Sequence, residues 1–197
     1  MLILVKILLA VLSFVLLIII GVILYGLPAT FTLKSGLRPG LKRLSIDEAV
    51  WNLINSKKEG WELIEEVRQL IKARMQYCRR NSFDFYEKAF LRGYGYCQQQ
   101  AFAFSYILNK LGFETRVVYA TKNQFPDGNI GGHAWVQIFY HGVTKYLDPA
   151  FMESAGEEIS FKPLTAVREY TPFFRYFAGW GSIAVNAHRC YKTGRDH

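Results

Sequence analysis

Residues 2–27 are apolar at nearly every position, with Lys6 the single charge among them. No polar face interrupts the run, and it exceeds the roughly 20 apolar residues that a helix needs to cross a bilayer. The apolar part of a cleavable signal peptide is shorter, about 7 to 15 residues. The one small-residue cleavage candidate, Leu27-Pro28-Ala29, places a bulky side chain where a small one is needed. Residues 2–27 therefore predict a retained, single-pass transmembrane anchor. From 28 to 44, Pro28, Gly36, Pro39 and Gly40 are mixed with Lys34, Arg38, Lys42 and Arg43. This is the composition of a basic linker lying against headgroups.

At Ser45 the pattern becomes periodic. Ser45-Ile46-Asp47-Glu48 reads as a capping box opening a helix to about residue 57. Leu63, Ile64, Val67, Leu70, Ile71 and Met75 recur at helical spacing over 61–77. Residues 79–92 show no clear period, and Gly93-Tyr94-Gly95-Tyr96-Cys97 reads as a backbone hinge. Ala101, Phe104, Ile107, Leu108 and Leu111 then predict a helix over 97–111, stopped by Gly112, which sets Cys97 at its N-terminus. Beyond it the period shortens to that of strands over 115–120, 132–140 and 144–147. Pro126-Asp127-Gly128 and His141-Gly142 supply the turns between them. The segment from 161 onward is rich in aromatics and Arg and broken by Pro163, Pro172 and Gly179-Trp180-Gly181, with no assignable element. Residues 45–197 have the length of one domain with one core.

Composition narrows the functional classes. The net charge of +8 is spread along the chain rather than gathered in a run, so it names no partner. Neither a nucleic-acid module nor a G-x-S-x-G elbow, P-loop or H-E-x-x-H helix occurs, and no nucleic-acid partner, cofactor or metal is expected. The cysteines Cys78, Cys97 and Cys190 form no C-x-x-C pair. In an oxidising compartment Cys78 and Cys190 can pair and leave Cys97 free. Two readings of membrane side stand. The positive-inside count over Lys34, Arg38, Lys42 and Arg43 puts the domain in the cytoplasm. The short leader with one early Lys looks instead like a bacterial export anchor, and the extracytoplasmic side is the one favoured.

Cys97 is the candidate nucleophile. A thiol is mostly protonated near neutrality, and the unpaired N–H groups of a helix N-terminus together with an imidazole favour its thiolate. His133, in Gly131-Gly132-His133-Ala134-Trp135, lies on a predicted strand that can pack across the helix start. Asp148, in Tyr146-Leu147-Asp148-Pro149, follows the next strand, where it can accept the second ring N–H and fix the tautomer. Trp135 is a candidate wall of the substrate pocket. His141, His188 and His197, in a turn or near the C-terminus, read as surface residues.

The local wording carries more. Gly95-Tyr96-Cys97-Gln98-Gln99-Gln100-Ala101, then Leu111-Gly112-Phe113-Glu114-Thr115-Arg116-Val117-Val118, then Gly132-His133-Ala134-Trp135-Val136 and Tyr146-Leu147-Asp148-Pro149 resemble, in order and context, the core of the transglutaminase-like superfamily of papain-related cysteine enzymes. The resemblance, to a small membrane-anchored bacterial type, covers about residues 93–150. It implies an α+β fold, in which a Cys-bearing helix packs on an antiparallel sheet carrying His and Asp, and a Cys97, His133, Asp148 triad. The implied reaction is acyl transfer or amide hydrolysis on a protein or peptide through an acyl-thioester. The alternative is a catalytically idle binding or scaffold module of the same fold at the membrane. The family's indole oxyanion donor lies upstream of the Cys, and neither Trp51 nor Trp61 is matched to it.

Overall fold

The computed structural model describes residues 2–31, 34–79, 81, 84–151 and 158–170. The aromatic C-terminal segment from 171, with His188, Cys190 and His197, lies outside the described residues.

The apolar run forms α1 (Leu2–Phe31), four residues longer than expected and about 45 Å long at about 1.5 Å per residue. No residue of Ile3–Gly21 within it is buried. This one N-terminal helix is long and apolar enough to cross a membrane. Residues 34–44, read as linker, are laid along the domain rather than left loose. Gly36 donates its N–H to Arg92 O at 2.9 Å and accepts from Gln76 Nε2, and Arg74 donates to Lys42 O at 3.1 Å. A Cβ at Gly36 would come within 2.5 Å of the Tyr94 ring, so this close approach requires glycine.

The Ser45 capping box forms as expected, with Ser45 N–H donating to Glu48 Oε2 at 2.6 Å and Glu48 N–H to Ser45 Oγ at 3.2 Å. It opens α2 (Ile46–Ile54), and α3 (Gly60–Arg74) follows. The stretch without period contains a short helix, α4 (Tyr86–Arg92), stopped by Gly93 in the left-handed region at φ 87°. Then come α5 (Cys97–Lys110), β1 (Glu114–Gln124), β2 (Ile130–Tyr140), β3 (Val143–Leu147), β4 (Lys162–Pro163) and β5 (Arg168–Glu169). Both central residues of the β2–β3 turn, His141 and Gly142, have positive φ, the conformation that matches the twist of a tight hairpin. β1 runs past its predicted end at 120 to Gln124, and β2 starts at Ile130 rather than 132, because backbone pairing continues where the hydrophobic alternation has faded.

The sheet is antiparallel in the order β3-β2-β1-β4, with β5 also paired to β1. Its two faces follow the period of the strands. Val117, Ala134, Val136 and Ile138 join the main core, built around Ala101, Phe104, Ile107 and Leu108 of α5, with Val67 and Ile71 of α3 and Phe90 of α4. Val118, Ala120 and Trp135 face the other way and are covered by Phe161. The protein is thus an α+β fold in which the helix beginning at Cys97 lies in the core against the sheet.

Candidate active site

The N-terminus of α5 is held by three consecutive buried glutamines that the hydrophobic pattern does not explain. Gln99, at the third helical position, accepts the Tyr96 N–H at 3.1 Å and donates to Asn81 O at 2.9 Å and Asp84 O at 2.7 Å. Gln100 donates to Met75 O at 3.1 Å and Gly95 O at 2.7 Å, and Gln98 accepts the Tyr96 hydroxyl at 2.8 Å. Buried carbonyls left without donors cost about 1–3 kcal/mol. Gln100→Ala is therefore expected to destabilise the domain by about 1–3 kcal/mol, read as a lowered urea midpoint with unchanged slope.

Cys97 opens this helix and is partly exposed. Its thiol is hydrogen-bonded to the His133 imidazole and receives the Ala134 N–H. The His133 Nε2 donates to Asp148 Oδ2 at 2.6 Å, which leaves Nδ1 as the ring atom for Cys97. Asp148 Oδ1 in turn accepts the Ala150 N–H at 2.8 Å, so both carboxylate oxygens are engaged and the side chain is fixed. His133 and Asp148 are buried. The three residues singled out in the sequence therefore stand in one hydrogen-bonded chain.

Electrostatics act in opposing directions along it. Burial alone pushes the Cys97 thiol up, but the His133 charge, the His133 hydrogen bond and the Ala134 N–H outweigh it and hold the thiol below its ordinary value. Burial likewise works against the charged imidazole, yet Asp148 and the Cys97 thiolate push His133 up to about 10. The arrangement favours a thiolate beside an imidazolium.

A β-bulge aims His133. Ala120 pairs with His133, but the next pairs are Asn123 with Gly131 and Gln124 with Ile130, so β1 carries an extra residue there. Buried Asn123 stitches the bulge by donating to Ala120 O at 3.0 Å and Gly131 O at 3.1 Å. Around the imidazole stand Phe161 at 4.9 Å, Phe151 at 5.0 Å and Phe125 at 5.6 Å between ring centroids. A cleft of about 660 Å³ opens beside it, lined by Tyr77, Arg79, Phe125, Asp127, His133 and Phe151 among others.

Trp135 requires a correction. It has no exposed surface and does not line the cleft; its ring lies parallel to His133 at 6.3 Å and edge-on to Phe161 at 5.0 Å. Two residues along β2 from His133, it shares the histidine's face but falls beneath Phe161, where it backs the imidazole. The upstream tryptophans are elsewhere as well: Trp51 is exposed on α2, and Trp61 packs on Tyr140 and under Lys145.

Comparison with known families supplies the deciding observation: the model of the transglutaminase-like superfamily core matches residues 49–147. The chain belongs to the transglutaminase-like superfamily. A search of curated proteins finds no match. The matched stretch of this transglutaminase-like domain runs from α2 to the last residue of β3. It contains Cys97 and His133 and stops one residue before Asp148. Superfamily domains of this kind are generally cysteine-based enzymes. Sequence reasoning missed Gln99, Gln100 and Asn123, polar residues among polar neighbours with no local sign of burial, and Tyr77, which lay in a helical pattern that ends earlier than expected.

Proposed function

We propose that this transglutaminase-like domain is a cysteine-dependent acyl-transfer enzyme or amide hydrolase acting on protein or peptide substrates. The observation that carries the reading is the continuous chain from Cys97 through His133 to Asp148, closed by the Ala150 N–H. Cys97 is the nucleophile. Its sulfur attacks an amide carbonyl and forms a C–S bond; the imidazolium of His133 gives its Nδ1 proton to the departing amine as the C–N bond breaks. Neutral His133 then takes a proton from the incoming amine or water that cleaves the thioester. Asp148 holds the ring with Nε2 protonated and Nδ1 directed at sulfur, and stabilises the imidazolium.

The open cleft beside His133, with aromatic walls and polar groups, suits an extended peptide. We further place the domain on the extracytoplasmic face of a membrane, tethered by α1; the short leader with its single Lys6 supports this reading. Cleavage of the domain by protease added outside intact cells tests that side, and protection until lysis overturns it.

The activity is tested with p-nitrophenyl acetate and the full chain in detergent. The expected result is an acetyl group on Cys97, seen by mass spectrometry and removed by hydroxylamine. A folded chain that stays unmodified at Cys97 would sink the proposal. With a glutamine-bearing protein, attachment of a fluorescent amine identifies transfer, and release of fragments without attachment identifies proteolysis.

A further inference from the structure

The backbone that leads into the nucleophile is held at each of residues 93–96. Gly93 O accepts the Gln76 N–H at 3.0 Å, and Tyr94 O accepts from Asn81 Nδ2 at 2.8 Å. Gly95 donates to Gln76 O at 3.0 Å and accepts the Cys78 N–H at 3.4 Å, and Tyr96 N–H donates to Gln99. The segment that joins α1 to the domain is tied into the same arrangement. Ser35 Oγ and Gly36 N–H both donate to Arg92 O, at 3.3 Å and 2.9 Å, and Gln76 Nε2 donates to Gly36 O. The two chains cross at a pair of glycines. Gly36 is buried against the Tyr94 ring, and a Cβ at Gly93 would fall 2.6 Å from Leu37 N. Gln76 therefore binds the hinge with its backbone and the joining segment with its side chain. Ser35 stands four positions after Phe31, the last residue of α1, a reach of at most about 14 Å.

We infer that residues 35–37 and Gln76 form a brace that positions Cys97, so that the reactivity of the nucleophile depends on the segment leading out of the membrane helix. This role rests on the acyl-transfer reading and adds to it a set of positioning residues outside the cleft. The physical reason is that the sulfur and its partners sit on different elements. Cys97 is the first residue of α5, whereas His133 and the Ala134 N–H are carried by β2. The body of α5 is fixed in the core by Phe104, Ile107 and Leu108. Its first turn, residues 97–100, presents a thiol and three glutamines and no large apolar side chain, so hydrogen bonds to the hinge and its neighbours set its place. Displacing the joining segment takes two donors from Arg92 O and the acceptor from Gln76 Nε2, and opens the crossing that confines Gly93. The hinge then gains room to shift, and a misplacement of about 1 Å between reacting groups costs on the order of 10²-fold in rate. The membrane helix and the nucleophile are thus mechanically connected through Gly36 and Gln76.

Two variants of the full chain in detergent, each checked for folding by circular dichroism, test the brace. Gln76→Met keeps the backbone pairing and the side-chain length but removes the donor to Gly36 O. Gly36→Val drives the joining segment off the Tyr94 ring. Acetylation of Cys97 by p-nitrophenyl acetate, and its alkylation by iodoacetamide across pH, are followed at the Cys97 peptide by mass spectrometry. Gln76→Met is expected to slow acetylation about tenfold. It is also expected to move the onset of alkylation to higher pH, because the sulfur shifts away from His133 and the Ala134 N–H. Both substitutions break one contact, so the double variant is expected to stay within about twofold of the slower single variant. A purely structural role would lower the urea midpoint and leave the acetylation rate and the alkylation onset of the folded chain as in wild type. That result in Gln76→Met overturns the brace, and so do losses that multiply in the double variant. Where Gly36→Val does not fold, Gln76→Met alone decides. A wild-type chain that is alkylated but never acetylated would instead overturn the acyl-transfer reading, and the alkylation onset of Gln76→Met would still decide the brace.

Discussion

His133→Ala is expected to reduce acylation of Cys97 on the order of 10⁴-fold or more and to move the onset of its alkylation to higher pH. The reason is the balance at the thiol. Burial opposes the thiolate, and His133 is the main force on the other side. With the imidazole gone, the burial remains, and Cys97 titrates above the free-thiol value of about 8.5 rather than below it. In the wild type, alkylation rises with pH through the depressed thiol pKa and then levels. Acyl transfer also needs a protonated His133 to release the leaving amine, so it is expected to fall again as pH rises through about 10. Persistence of low-pH alkylation in His133→Ala would mean that the thiol owes its reactivity to something else.

Asp148→Asn is expected to lower acylation on the order of 10³-fold with little change in fold. The carboxylate accepts twice, from His133 Nε2 and from the Ala150 N–H. An amide has one oxygen and one NH2 group, so it can satisfy only one of these donors. If the oxygen stays with Ala150, the NH2 faces Nε2 and selects the tautomer with its proton on Nδ1, turned toward sulfur. A neutral side chain also removes the charge that raises His133. The imidazolium should then titrate at lower pH, and the alkaline limb of the acyl-transfer profile should shift downward with it. An unshifted alkaline limb would remove Asp148 from the chain of interactions.

Much of the fold was legible along the chain. The α5 helix and its start at Cys97 follow from apolar spacing after a glycine-rich hinge, and the β2–β3 hairpin follows from alternation around His141-Gly142. The capping box at Ser45 worked from local chemistry alone. Less was readable where polar side chains serve distant backbone. Gln99 and Gln100 look like solvated helix residues until their partners at residues 75–84 are known. The period over 61–77 continued past the end of α3 at Arg74, because Met75 stays in the core while the backbone turns extended to pair with the hinge. That turn brings Tyr77 to the cleft beside His133 rather than leaving it in a helix.

The family, the α+β class, the apolar N-terminal helix and the order of Cys97, His133 and Asp148 can all be read along the chain, because they depend on local periodicity and on short motifs. Which side chains meet is set by the packing of the whole domain. It joined His133 to Asp148 through the hairpin, set the bulge held by Asn123 opposite His133, withdrew Trp135 beneath Phe161 and brought Tyr77 and Arg79 to the cleft. Pairing between distant strands and burial behind another element carry no local signal, since both depend on how separate segments pack against one core.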